Sequence, residues 1–211
     1  VSNIDEYIGQ SARLKKTFEI LEEVKQRGEK TLLFCEDLEM QAFLAMAIQE
    51  RFSLERRPMC ISGKVAGHKR QEMVTAFQSS PASFDVLILS PKAGGVGLTI
   101  TAANNVIHLS RWWNPAVEDQ ATDRAYRIGQ TRPVTIHIPM AVHPDEAIGP
   151  SSFDQRLDAL MERKRSLSRG LLMPPESDRD VEDLLSDVLD GRPAENLDRS
   201  SAYAAAGQAR I

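Results

Sequence analysis

The chain has 211 residues, 42% hydrophobic and 27% charged, which allows one α/β domain with a proper core and excludes a disordered or fibrous chain. A net charge of -4 argues against a protein that coats DNA through a large basic excess, but leaves room for a small, directed set of phosphate contacts. No apolar run approaches the ~20 residues that cross a bilayer and residues 1–10 lack a signal pattern, so the expectation is a cytoplasmic protein, nucleoid-associated if bacterial, with no membrane partner.

Between residues 11 and 27, Leu14, Phe18, Leu21 and Val24 recur at helical spacing and Gly28 follows as a stop, which predicts an amphipathic helix. Residues 31–35 form a short apolar strand, after which Glu36 and Asp37 open a helix carrying Phe43, Leu44, Ala47 and Ile48. Residues 59–61 make a second strand, Ser62 and Gly63 a loop, and residues 69–77 a helix with Met73, Ala76 and Phe77 on one face. A third strand, 85–90, runs into a glycine-rich segment at 93–97. A fourth, 105–109, leads to a helix starting near Pro115, and 134–138 supplies a fifth. Unbroken apolar strands alternating with helices predict an α/β fold, a doubly wound and mainly parallel sheet buried on both faces. Past Pro139 the composition changes: residues 153–169 read as a helix with Leu157, Leu160, Met161 and Leu167 on its apolar side. Pro174 and Pro175 end it, an acidic amphipathic stretch follows at 181–189, and a mobile tail of small and polar residues closes the chain. Cys35 and Cys60 sit in apolar strand-like runs without metal spacing and are expected to be buried, reduced thiols. His68, His108, His137 and His143 likewise show no ligand spacing, which predicts core or surface roles and no metal site.

Parallel sheets place ligands at the C-terminal ends of their strands, so function is expected in the loops after Cys35, Ile61, Ser90 and Leu109. Ser90-Pro-Lys-Ala-Gly-Gly-Val-Gly97 puts a lysine and three glycines there, where backbone amides can approach phosphates, although a glycine-rich turn also serves plain turn geometry. In the run from Gln120 to Gln130, Arg124 and Arg127 are spaced to share one helical face beside Gln120 and reach one anion. The bland alternative makes them salt-bridge partners of Glu118, Asp119 or Asp123.

The run 90–97, then Trp112-Trp-Asn-Pro115, then 120–130, resembles motifs V and VI of Swi/Snf-type DNA translocases in order and spacing. Upstream, residues 30–34 resemble motif IV, and Ile61-Ser-Gly63 with Arg70 and Phe77 the motif after it. The likeness covers roughly residues 11–138, and the double tryptophan looks most like bacterial and archaeal members. The resemblance implies a RecA-like C-terminal lobe of a DNA-dependent ATPase. In it Arg127, with Arg124, would act as arginine fingers toward ATP, while Gln120, Gly95, Val96 and Gly97 would line the nucleotide side. Ser62, Gly63, Lys92 and Ala93 would touch the backbone of double-stranded DNA without reading sequence. Trp113 would couple the two sites, or simply pack under a loop. ATP and Mg²⁺ would be held mainly by an N-terminal RecA-like lobe of the same parent chain. The implied organisation is the lobe over 1–140, a linker and brace helix over 141–173, and an acidic stretch with a disordered tail over 174–211. Arg163, Lys164, Arg165 and Arg169 read as a solvated helix face, with a brace against DNA or the first lobe as the alternative.

Two departures stand out: Thr99 occupies a position where the family often has Asn, and the segment 139–152 is longer and richer in proline than usual. A P-loop needs GxxxxGK followed by Ser or Thr, whereas Gly63-Lys64 is followed by Val65, and no acidic tetrad follows a strand to hold Mg²⁺. The fragment alone is therefore expected to show negligible ATPase activity. A non-catalytic docking module built on a motor lobe is the competing reading. A dinucleotide-binding enzyme fails because the glycines follow the third strand and lack GxGxxG spacing.

Overall fold

The computed structural model describes residues 4–94, 98–145 and 152–170, with side chains described through Leu167; the predicted contacts of Gly95, Val96 and Gly97, the acidic stretch and the tail lie outside these. The chain divides after Pro139 into two units.

The first unit is a five-stranded, all-parallel sheet of order β2-β3-β1-β4-β5, with β1 at Lys30–Phe34, β2 at Met59–Ile61, β3 at Asp85–Leu89, β4 at Asn105–His108 and β5 at Thr135–His137. Helices α1 (Ile4–Gly9), α2 (Ala12–Gln26), α3 (Leu38–Phe52), α4 (Gly67–Ser79) and α5 (Pro115–Thr122) accompany it. Register explains why the central strands carry no polar alternation. Leu33 pairs with Ile88 and Ile107, and these three point into a core with Phe18 and Leu21 of α2 and Leu44 and Ile48 of α3. Leu32 pairs with Leu87 and Val106, which point the other way onto Val74 and Phe77 of α4 and Ala121 of α5. With helices on both faces, every position of β1 is buried.

Local chemistry sets the helix ends. Ser11 accepts from Leu14 N at 3.3 Å, Asp37 from Met40 N at 2.6 Å and Asn114 from Ala116 N at 3.0 Å, each satisfying an amide of the first turn. Gly28 follows α2 at φ 63, a conformation that glycine adopts without a Cβ penalty. At the other end of α4, the buried Lys30 ammonium donates to the carbonyls of Phe77 at 2.7 Å and Ser80 at 2.9 Å, capping that helix with a cation.

One expectation fails. The helix at Pro115 ends at Thr122, and Arg124 and Arg127 follow in turns, so they share no helical face. Tertiary hydrogen bonds take over there: Ile100 N donates to Arg124 O at 2.8 Å, and Gln130 Nε2 donates to the carbonyls of Ala103 at 2.8 Å and Ala125 at 3.2 Å. The short helix α1 was not anticipated as a separate element. Cys35 and Cys60 carry free thiols, Cys60 only partly buried.

The second unit contains helix α6 (Phe153–Gly170). Asp154 accepts from Ala141 N at 2.6 Å and Ser152 from His143 N at 2.8 Å, fastening the approach segment to the start of the helix. Arg163 is exposed, but Arg165 is buried and paired with Glu162 at 2.5 Å, so the basic run is not one solvated face.

Candidate nucleotide and nucleic-acid site

Chain reversals at the C-terminal end of the sheet set the site. Ser90 N donates to Ile61 O at 2.9 Å and Cys35 N to Leu89 O at 3.0 Å, which carries the sheet ladder one residue past β3 and β1. The buried amide of Gln41 then donates to Cys35 O at 2.7 Å and Ser90 Oγ at 2.8 Å, holding the exits of these strands together. The 3-10 turn Pro91–Gly94 starts from that fixed point, with Ala93 N bonded to Ser90 O at 3.0 Å.

Three successive residues of this turn are each held from a different part of the chain. Pro91 O accepts from Arg124 Nη2 at 3.4 Å, the Lys92 ammonium lies 4.4 Å from the centroid of the Trp112 ring, and Ala93 O accepts from Arg70 Nη1 at 2.5 Å. Arg70 also donates through Nε to Val65 O at 2.8 Å, so the loop carrying Ser62 and Gly63 is tied to the turn carrying Lys92 and Ala93. A Cβ at Gly63 would meet no atom within 4 Å, so packing does not demand glycine there. The four residues expected on the DNA side thus lie on two loops joined by one guanidinium.

The two arginines have separate surroundings. Arg124 is 5% exposed; burial pushes its guanidinium below the usual arginine value, and the neighbouring positive charge of Arg127 adds to that. Arg127 is exposed, with Nε donating to Asp123 O at 3.1 Å and Nη1 to Thr99 Oγ1 at 3.3 Å. The departure at Thr99 therefore touches Arg127 directly. Gln120 is exposed in the last turn of α5, and Trp113 is half-buried just before it. Glu118 is held by Arg111, at 2.8 Å between two nearly inaccessible side chains, and also accepts from Trp112 N at 3.1 Å. Burial is the largest influence and would raise the Glu118 carboxyl, but the Arg111 charge and hydrogen bond, the charge of His108 and the Trp112 amide together outweigh it and keep the group below its ordinary value. His108 is buried, stacked on Phe34 at 5.3 Å, with Nε2 at 2.9 Å from Thr122 Oγ1. Among the described residues no group of three His, Cys, Asp or Glu side chains is placed to hold a metal.

Trp112, and the way Arg70 spans two loops, were not found from the sequence as working parts. The doubled tryptophan was visible, but its cation partner lies twenty residues earlier in the chain.

The five-stranded parallel sheet with its flanking helices is a RecA-like α/β fold. The chain belongs to the helicase conserved C-terminal domain family, whose model matches residues 12–129, and its fold is similar to the C-terminal domain of the Sulfolobus solfataricus SWI2/SNF2 ATPase. It is 40% identical over 183 residues to the Zorya protein ZorD of Escherichia coli, covering 83% of this chain and 16% of that one. Among solved structures, the C-terminal part of the Fun30 ATPase domain superposes with a TM-score of 0.68 at 26% identity, covering 89% of this chain and 57% of that one. The Sulfolobus solfataricus SWI2/SNF2 ATPase core in complex with dsDNA gives 0.60 at 30% identity, covering 89% of this chain and 36% of that one. The chain spans 16% of the length of ZorD and of the putative ATP-dependent helicase/translocase YwqA of Bacillus subtilis.

Proposed function

We propose that this lobe is the second half of a DNA-dependent ATPase motor that steps along double-stranded DNA without reading its sequence. The observation that carries the reading is the segment 124–127, which offers one guanidinium outward, Arg127, and commits the other, Arg124, to the carbonyl of the Lys92 turn. A single segment thereby touches both the nucleotide side and the DNA side. Similarity to a SWI2/SNF2 core bound to dsDNA supports the choice of duplex DNA.

The donor set fits the phosphate end of ATP. Arg127 is exposed, with Nε bonded to the Asp123 carbonyl and Nη1 to Thr99, and its planar, permanently charged guanidinium is of the kind that pairs with phosphate oxygens. ATP and Mg²⁺ are assigned mainly to an N-terminal RecA-like lobe of the same parent chain, since the P-loop and acidic tetrad are absent from this sequence. Closure of the two lobes brings Arg127 to the γ-phosphate, where its charge stabilises the negative charge spread over the phosphoryl oxygens. That contribution is on the order of 10³- to 10⁵-fold in rate. Ser62, Gly63, Lys92 and Ala93 grip phosphates, and the Arg124 bond to Pro91 makes the grip answer to the nucleotide. Trp113, between Lys92's partner Trp112 and α5, lies on that route. The proposed output is translocation, not strand separation.

The test is ATP hydrolysis by the full-length parent protein with and without double-stranded DNA, wild type against Arg127→Ala. Strong DNA stimulation, lost by about 10³-fold or more in the variant, is the expected result. Hydrolysis indifferent to both DNA and Arg127 would leave this lobe as a docking module.

A further inference from the structure

We propose that Trp112 is a positioning residue for the DNA contact at Lys92: its indole face holds the Lys92 ammonium in place before DNA arrives. This inference rests on the reading of Lys92 as a phosphate contact. Lys92 is exposed, and a free lysine side chain on a surface turn samples many rotamers that binding must then freeze. Here the ammonium lies 4.4 Å from the Trp112 ring centroid, well inside the range in which the ring quadrupole attracts a cation. Such a contact uses one side of the ammonium and leaves N–H donors on the far side for a phosphate oxygen.

The backbone that carries the ring is fixed. Trp112 N donates to Glu118 Oε1 at 3.1 Å, and Glu118 is a buried residue of α5 paired with Arg111 at 2.8 Å. The base of Lys92 is fixed as well, because its neighbours Pro91 and Ala93 are bonded to Arg124 and Arg70. Backbone and head group are thus both pre-set, and the ordering that a phosphate contact requires is largely done in the free protein. The same stack connects the DNA-side lysine to the start of α5, whose far end leads to Arg124 and Arg127.

The experiment is a double-mutant cycle in the full-length protein, reading affinity for a duplex of arbitrary sequence and its salt slope. Lys92→Ala is expected to weaken binding about three- to tenfold and flatten the log–log salt slope by about 0.9, the loss of one phosphate contact. Trp112→Leu, which keeps apolar bulk without a π face, is expected to reproduce most of the affinity loss, to add little in the Lys92→Ala background, and to be rescued by Trp112→Phe. If Trp112→Leu binds like wild type while Lys92→Ala does not, the positioning role is wrong and the phosphate contact stands. Equal losses in the Leu and Phe variants, or losses that simply add to Lys92→Ala, overturn it too, because packing and not the cation contact would then be at work. Should Lys92→Ala leave affinity and salt slope unchanged, the underlying reading of Lys92 fails.

Discussion

The guanidinium of Arg70 donates to Ala93 O at 2.5 Å, and its remaining edge donates to Val65 O at 2.8 Å, so a residue in the first turn of α4 sets the spacing between two loops. Neither acceptor is a side chain. The arrangement fixes backbone, which is what a sequence-independent grip on phosphates requires.

Removing Arg70 is therefore expected to act on DNA and not on the nucleotide. Hydrogen bonds from a charged donor contribute roughly 1.5–3 kcal/mol each, and Arg70 makes two to partly exposed carbonyls. Arg70→Ala is expected to raise the DNA concentration that half-saturates ATP hydrolysis about tenfold, with kcat at saturating DNA changed far less. Arg70→Lys, which can reach one carbonyl but not both, should fall between. A fall in melting temperature with unaltered half-saturation would make Arg70 a plain structural brace.

These relationships show where the sequence is readable and where it stops. Strands β1 to β5 were legible because each carries consecutive apolar or β-branched residues between breakers, and the starts of α3 and α5 because Asp37 opens the one and Pro115 sits in the first turn of the other. The segment after Thr122 misled because an arginine every third residue, with no glycine until Gly129, has the spacing of a helix. Its structure is decided by bonds to Ile100, Thr101 and Ala103, more than twenty residues away, which no local pattern encodes. For the same reason the sequence named Lys92 and Arg124 but not the contacts that join them to Trp112 and Pro91.

The separate surroundings of Arg124 and Arg127 are expected to separate their kinetics. Arg127→Ala should lower kcat by about 10³-fold or more with little effect on DNA affinity, and Arg127→Lys should recover little, because a point charge lacks the two-pronged fit. Arg124→Gln can still donate toward Pro91, so part of the turn's support survives. It is expected to weaken DNA half-saturation several-fold and lower kcat less than Arg127→Ala does. Identical kcat losses with unchanged DNA dependence would instead make both residues direct phosphate ligands.

At the opposite end of the sheet, acid should find a weak point. Burial alone would raise the Glu29 carboxyl, but hydrogen bonds from Asn105, Arg27 and Asn104 outweigh it and hold the group at about 2, against 4.5 for an ordinary glutamate. A carboxyl depressed in the folded state contributes stability that is fully present above pH 4.5 and is lost as pH falls from there toward 2. Glu29→Gln should therefore melt at a lower temperature than wild type at pH 7, with the gap narrowing below pH 4.5 and closing only as the pH falls below about 2. A difference independent of pH would show that the amides at Asn104 and Asn105, not the charge, are what matter.

The Arg111–Glu118 pair gives the sharpest test, because stability and function part company there. Both side chains are nearly inaccessible, at 5% and 3%, so removing one partner strands a buried charge. Glu118→Leu alone is expected to destabilise the fold by about 3–5 kcal/mol, whereas the double change Arg111→Met with Glu118→Leu should return most of that loss, since an apolar pair needs no desolvation. The double variant nevertheless lacks the carboxylate that accepts from Trp112 N, so the backbone that places the ring facing Lys92 loses a tether. Urea denaturation should show near-native stability for the double variant while its DNA half-saturation stays several-fold weaker than wild type. Recovery of both properties together would mean that Glu118 serves only the fold, and that backbone packing alone keeps Trp112 against the lysine.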